Sequence, residues 1–158
     1  AKKKAFGKHF IGKHNKIIGK YVNDKKDGVW KTYLSDNQIK TIEKYDNLNI
    51  VSKTYYSNEG FIFSTTEYKN NKRFVKQFRK DGSLKNYKEY KDTWTKVGTW
   101  KNYFKNGKIS SLREYLNGEL VLSKQYFSNN NLSIVEKYLN NKLNERKQFW
   151  ENGNLKYD

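Results

Sequence analysis

The chain has 158 residues, with 33 Lys+Arg against 16 Asp+Glu for a formal net charge of +17, and with 13 Tyr, 9 Phe and 4 Trp but no Pro, Cys or Met. Rings at this density exclude simple disorder, which is poor in aromatics, while sparse Leu, Ile and Val exclude a thick core. The missing cysteines exclude disulfides and thiolate chemistry, and no apolar run nears the ~20 residues that a bilayer-spanning helix needs.

Taken in order, residues 1–6 read as a basic N-terminal tail, and residues 7–158 read as seven copies of one β-hairpin. The clearest copy is 97–118, in which two β-prone runs, 99–104 and 109–115, flank the turn Lys105-Asn106-Gly107-Lys108. Asn-Gly between apolar runs is a hairpin signal, because both residues tolerate positive φ. Aligned on the aromatic that ends the first strand, the copies fall at Phe10, Tyr33, Tyr55, Phe78, Tyr103, Tyr126 and Phe149. The turn position recurs as Asn15, Asn37, Gly60, Gly82, Gly107, Asn130 and Gly153, and an aliphatic residue follows two positions later each time: Ile17, Ile39, Ile62, Leu84, Ile109, Leu132 and Leu155. Repeat boundaries fall near 24, 47, 71, 93, 118 and 141. The first copy is worn, its second strand shortened around Gly19, and the last stops at Tyr157 almost as its second strand begins. A period near 23 leaves room for two short strands and two tight turns and little for a helix. The expected fold is therefore all-β: a single repeat domain, an antiparallel meander of about 12–14 strands in an elongated twisted or coiled sheet.

A lysine stands two residues before each aligned aromatic: Lys8, Lys31, Lys53, Lys76, Lys101, Lys124 and Lys147. Residues i and i+2 of a strand point the same way, and equivalent strands are two apart, so neighbouring lysines would sit roughly 9.5 Å from one another. Unit charges at that distance repel by about 0.4 kcal/mol in water, which a solvated face tolerates. These lysines, with Trp30, Trp100, Tyr33, Tyr55, Tyr103 and Tyr126, form the expected binding strip; the plainer reading is a soluble filler copied with the repeat. Glu67, Glu89 and Glu114 directly precede second-strand tyrosines and Glu43 and Glu136 lie one residue earlier, a pattern that suits cross-strand pairing with lysine.

The pattern Gly-x-Trp-x-x-Tyr-x-x-Asn-Gly-x-Ile, closing on Tyr-x-Asn-Gly, resembles MORN repeats (membrane occupation and recognition nexus), and among them the bacterial YwqK-type antitoxin component of toxin–antitoxin systems. Gly28-Val29-Trp30-Lys31-Thr32-Tyr33 and Gly98-Thr99-Trp100-Lys101-Asn102-Tyr103 carry its opening, Asn106-Gly107-Lys108-Ile109 and Asn152-Gly153-Asn154-Leu155 its middle, and Tyr115-Leu116-Asn117-Gly118 its end. Only two copies keep Gly-x-Trp, and the turn glycine is often Asn. The resemblance implies a coiled hairpin sheet with a binding or scaffolding role and no catalytic centre.

Sites of other kinds are not evident. His9 and His14 stand alone without a completing ligand set, and neither a phosphate-binding Gly-Lys-Ser/Thr loop nor a Gly-x-Ser-x-Gly elbow occurs. The reading is a non-enzyme with no cofactor, metal or small-molecule substrate. Its expected partner is an acidic protein, bound as by an antitoxin or immunity protein. The alternatives are an anionic polymer or surface (nucleic acid, anionic lipid or glycan) and a secreted surface or adhesion module. An antitoxin-like role places it in the cytoplasm; a removed leader would place it outside.

Overall fold

The computed structural model describes residues 4–11, 15–34 and 38–157, with 4–11 and Asn15 described by their backbone alone. It divides at an expected repeat boundary into two compact units, Ala1–Asn70 and Asn71–Asp158. The first holds β1 (Lys4–Ile11), β2 (Asn15–Val22), β3 (Lys25–Tyr33), β4 (Ile39–Asp46), β5 (Asn49–Tyr56) and β6 (Ile62–Lys69). The second holds β7 (Lys72–Phe78), β8 (Leu84–Tyr90), β9 (Lys96–Tyr103), β10 (Ile109–Leu116), β11 (Glu119–Tyr126), β12 (Leu132–Leu139), β13 (Lys142–Phe149) and β14 (Leu155–Tyr157). Within each unit every strand pairs antiparallel with the next in chain order. The described residues contain no helix, and the all-β meander expected from the repeat is the fold. Three details differ at the start: β1 begins at Lys4, inside the expected tail; Asn15, the expected turn position, is instead the first residue of β2 and pairs with Ile11; and β2 runs for 8 residues through Gly19. A Cβ at Gly19 would fall inside the Trp30 ring, so this glycine is where a ring packs on the backbone rather than a sign of wear.

Two kinds of turn occur among the described residues. Between β10 and β11 both Asn117 (φ 49°) and Gly118 (φ 96°) are left-handed, the geometry of a two-residue turn whose twist matches its strands. Asn23-Asp24, Asn47-Leu48 and Asn140-Asn141 do the same. The described turns inside the copies are built otherwise. In the reference copy Gly107 N–H donates to Phe104 O at 3.1 Å and Phe104 N–H to Lys108 O at 2.8 Å. Only Gly107 (φ 83°) is left-handed there; Asn106 works through its side chain, whose Oδ1 accepts the Lys108 N–H at 3.0 Å. The Asn-Gly pair thus serves here as an Asx turn, not by positive φ at both residues. Asp81, Asn129 and Asn152 accept in the same way from Ser83, Asn131 and Asn154. The link between β8 and β9 is longer: the Asp92 carboxylate accepts the N–H groups of Trp94 and Thr95 at 2.9 and 2.7 Å. That loop accounts for the wider repeat interval between Phe78 and Tyr103.

The left-handed residue stands four positions after the last aromatic of the strand in each of these turns: Gly82 after Phe78, Gly107 after Tyr103, Asn130 after Tyr126, Gly153 after Phe149. For Gly60 that aromatic is Tyr56, which pairs with Ile62 as Tyr103 pairs with Ile109. The expected alignment on Tyr55 is therefore one residue out.

Burial is shallow and uneven. Trp30, 2% exposed, is the one buried hydrophobic side chain among the described residues, and the rest of the buried set is short and polar: Thr41, Ser64, Thr66, Asn86 and Ser123. By register these lie on the same face as the tryptophan of their own unit: Thr41 and Ser64 flank Tyr55, Thr66 faces Lys53, and Ser123 faces Arg113, the partner of Trp100. On that face it is the short side chains beside longer neighbours that are buried. Asn86 donates to Gln77 Oε1 at 2.7 Å and Asn102 to Ser111 Oγ at 2.8 Å, stitching adjacent strands across that face.

Candidate binding surface

In the second unit the register runs Lys76–Tyr87–Lys101–Leu112–Lys124–Val135–Lys147 from β7 to β13. Lysine occupies every odd strand, and an apolar or ring-bearing residue lies between. All four lysines are half-buried, and Lys147 Nζ lies 3.8 Å from Glu145 Oε1. Two residues along each strand, toward the hairpin turns, comes a second row on the same face. Phe78, Tyr103, Tyr126 and Phe149 alternate in it with Leu84, Ile109, Leu132 and Leu155. Toward the opposite edge stand Glu89, Glu114 and Glu145, each two residues from a member of the lysine row; Glu145 pairs with Lys137 at 2.7 Å.

In the first unit the corresponding row is Lys31–Ile42–Thr54–Thr65. Backbone register puts Lys8 in line with Lys31 through Ile18, but the side chains of Lys8 and His9, and the whole of His14, lie outside the described residues. Because the aligned aromatic is Tyr56, the ladder position in β5 is Thr54. Lys53 and Tyr55 point to the opposite face, where Lys53 stands directly across from Glu43.

That opposite face also carries both tryptophans. Trp30 packs edge-on to Tyr21 at 4.7 Å between ring centroids, and Trp100 lies 5.0 Å from Tyr90 and 4.9 Å from Tyr115. Lysines of the chain itself cover the rings: Lys26 Nζ sits 4.8 Å from the Trp30 centroid, and Lys88 and Lys96 sit 5.3 and 5.2 Å from that of Trp100. Arg73 lies 4.3 Å over Tyr90. Trp100 Nε1 donates to Glu89 O at 2.8 Å, whereas Trp30 Nε1 is buried with no partner among the described residues. The expected strip therefore separates into two surfaces. Tyr33, Tyr103 and Tyr126 share the lysine face, while Trp30, Trp100, Tyr55 and Lys53 are on the other. Sequence reasoning overlooked Lys26 and Lys96, although each precedes its tryptophan by four residues, a spacing that returns to one side of a strand.

Glu43 is the electrostatic centre of the tryptophan face in the first unit. Lys26 and Lys53 each reach it at 2.9 Å from the two neighbouring strands, and Tyr45 OH donates to it at 3.1 Å. Burial alone would raise its pKa; the hydrogen bonds from Lys26 and Lys53 outweigh burial and lower it to about 2. Burial likewise works against the charged forms of Lys26 and Lys53, but their bonds to Glu43 raise both above the ordinary lysine value. Glu136 repeats part of the arrangement, with Tyr138 OH at 2.9 Å and Arg146 Nε at 3.6 Å. Expected pairing of acids with lysine thus holds for Glu43. Glu89 and Glu114 have instead Phe74 and Thr99 directly across from them. Among the described residues no group of three His, Cys, Asp or Glu side chains is placed to hold a metal ion.

Hairpins repeated in chain order, with lysines aligned on one face of the second unit and a self-covered tryptophan on the opposite face of each unit, define a β-hairpin repeat protein. Three segments, 26–47, 96–117 and 142–158, match the family described as MORN repeat variant. The first two span β3–β4 and β9–β10, the two hairpins with Gly-x-Trp, and the third spans β13–β14. The remaining hairpins keep the fold with sequences outside the matched segments. No curated protein matches the chain. MORN repeats are, as a class, binding and scaffold modules rather than catalysts.

Proposed function

We propose that this chain is a non-catalytic binding scaffold whose lysine face takes an acidic protein, in the manner of an antitoxin or immunity protein. The observation that carries the reading is the row Lys76–Lys101–Lys124–Lys147 beside a row of rings. A fixed line of charge steers encounter with an acidic surface, and rings held on strands are low-entropy anchors. The excess of charge is not confined to one end: residues 1–70 hold 14 Lys+Arg against 7 Asp+Glu, and residues 71–158 hold 19 against 9. A sequence-tolerant nucleic-acid groove combines cations with rings open to stacking. In this chain the tryptophans lie under its own lysines, which favours protein over single-stranded nucleic acid.

The test is affinity capture from the native host with the full chain and with the Lys101→Glu/Lys124→Glu variant. A stoichiometric complex with an acidic protein is expected, weakened at least about tenfold by the charge reversal and slower to form as salt rises. If no protein is retained while heparin or single-stranded DNA binds with a steep salt dependence, the anionic-polymer reading replaces this one.

A further inference from the structure

The order of rows on the lysine face of the second unit narrows the shape of what can lie on it. From the hairpin-turn edge inward come a row of rings and aliphatics, then the lysines, then Glu89, Glu114 and Glu145. All three rows cross the strands, so a ligand that uses them runs across the sheet rather than along it. The lysine row makes six strand steps from β7 to β13, which is roughly 29 Å at about 4.8 Å per step. An α-helix of about 19 residues covers that length.

We infer that the partner's contact segment is an acidic amphipathic α-helix of that length, laid across β7–β13 with its apolar stripe on the Phe78–Tyr103–Tyr126–Phe149 row and its carboxylates on the lysine row. This inference rests on reading the lysine face as protein-binding. Spacing selects the helix. Carboxylates one heptad apart recur every ~10.5 Å along a helix, against ~9.6 Å between lysines. The accumulated slip of ~3 Å over the row is within reach of the flexible four-carbon lysine stem. An extended acidic peptide presents same-face carboxylates every ~6.7 Å and falls out of step by the second lysine. Duplex DNA, with a phosphate every ~3.4 Å on each strand, would leave most of its charge unmatched. The glutamates add direction: carboxylates shifted toward that edge would meet Glu89 and Glu114, so the acidic flank is held to the lysines and the apolar stripe is driven onto the rings. The tryptophan face offers no equivalent row: Lys26, Lys88 and Lys96 cover its rings, whereas on the lysine face the rings Phe78, Tyr103, Tyr126 and Phe149 form a row of their own beside the lysines, of which Lys147 also reaches Glu145 at 3.8 Å.

The experiment titrates the full chain into a fluorescein-labelled 20-residue peptide with Leu at helical spacing and Glu along one adjoining flank, read by anisotropy, with peptide helicity followed by circular dichroism. Comparison ligands are a scrambled peptide of identical composition, oligoglutamate and a 20-nucleotide single strand. The amphipathic peptide is expected to bind at least tenfold tighter than either acidic control and to gain helix on binding. Lys101→Glu/Lys124→Glu should weaken it at least tenfold, and Lys53→Thr should leave it unchanged. The milder Lys101→Gln/Lys124→Gln variant, with a spectrum matching the parent, separates loss of binding from loss of fold and is expected to weaken binding in the same sense. Equal affinity for the scrambled peptide, or no binding by the amphipathic one while the host's acidic protein still forms its complex, overturns the helix and leaves the acidic-partner reading standing. Tighter binding of the single strand, lost in the same variants, overturns both. Peptide binding that survives both Lys101/Lys124 variants puts the site elsewhere and also overturns the inference.

Discussion

A methyl group added at Gly19 would collide with the fused rings of Trp30. Neither side yields easily, since the ring is 2% exposed and held edge-on by Tyr21. Gly19→Ala is accordingly expected to destabilise the first unit by about 2–3 kcal/mol, in the upper range for overpacking, measurable as a lower urea midpoint with unchanged slope. Glu43 makes a second prediction at this scale. Its ordinary pKa is 4.5, lowered to about 2 in the fold, so the unfolded chain binds the proton first as pH falls. The carboxylate's contribution is complete above about pH 5 and lost on descending to about pH 2, some 1–2 kcal/mol once solvent screening of a partly exposed site is allowed for. Glu43→Gln should lower the urea midpoint at pH 7 and flatten its fall between pH 5 and 2.5. A parent protein whose midpoint is level over that interval would remove the argument.

At the scale of the strand, one residue of register decides what a lysine does. Lys53 and Lys101 look alike in sequence, each two before a tyrosine, yet Lys53 is paired with Glu43 on the tryptophan face and Lys101 belongs to the row on the other. Lys53→Gln is expected to lower stability by about 1 kcal/mol and leave partner affinity unchanged. Lys101→Gln with Lys124→Gln should do the reverse, as thermal melts and binding titrations of both variants will decide. The sequence held a clue: Gly60 stands five positions after Tyr55, whereas Gly107 stands four after Tyr103. The side-by-side Tyr55-Tyr56 pair hid it, because either ring suits a strand end and only the turn's hydrogen bonds tell which one ends it. Composition likewise hid the division of the rings between two faces. The words Trp100-Lys101 and Trp30-Lys31 put tryptophan and ladder lysine next to each other in the chain, and adjacent strand residues point to opposite sides.

For the molecule as a whole, stability is built locally: within each unit the described strands pair with their neighbours in chain order, so each hairpin draws on its own bonds and on those neighbours. The second unit tests this directly. Trp100 touches Tyr90 on β8 and Tyr115 on β10, and its N–H bonds to Glu89 O. Trp100→Leu should therefore reduce amide hydrogen-exchange protection most in β8–β10 and progressively less toward β13, since local opening follows local contact. Uniform loss across β7–β13 would mean the unit opens only as one body. The net charge of +17 adds self-repulsion that salt relieves, so protection should rise modestly with ionic strength even as encounter with the proposed acidic partner slows.

The repeat alone determined that the chain is an antiparallel meander, where its turns from Gly60 onward fall, and that its lysines recur on alternate strands. Those properties follow from local backbone preference and a two-residue alternation, both of which a sequence carries explicitly. Tertiary structure decided which tyrosine ends β5, which lysines join the ladder, and that the tryptophans are sealed beneath lysines of their own chain. These depend on bulges, cross-strand register and ring contacts, quantities fixed only when distant segments are brought into hydrogen-bonded pairs.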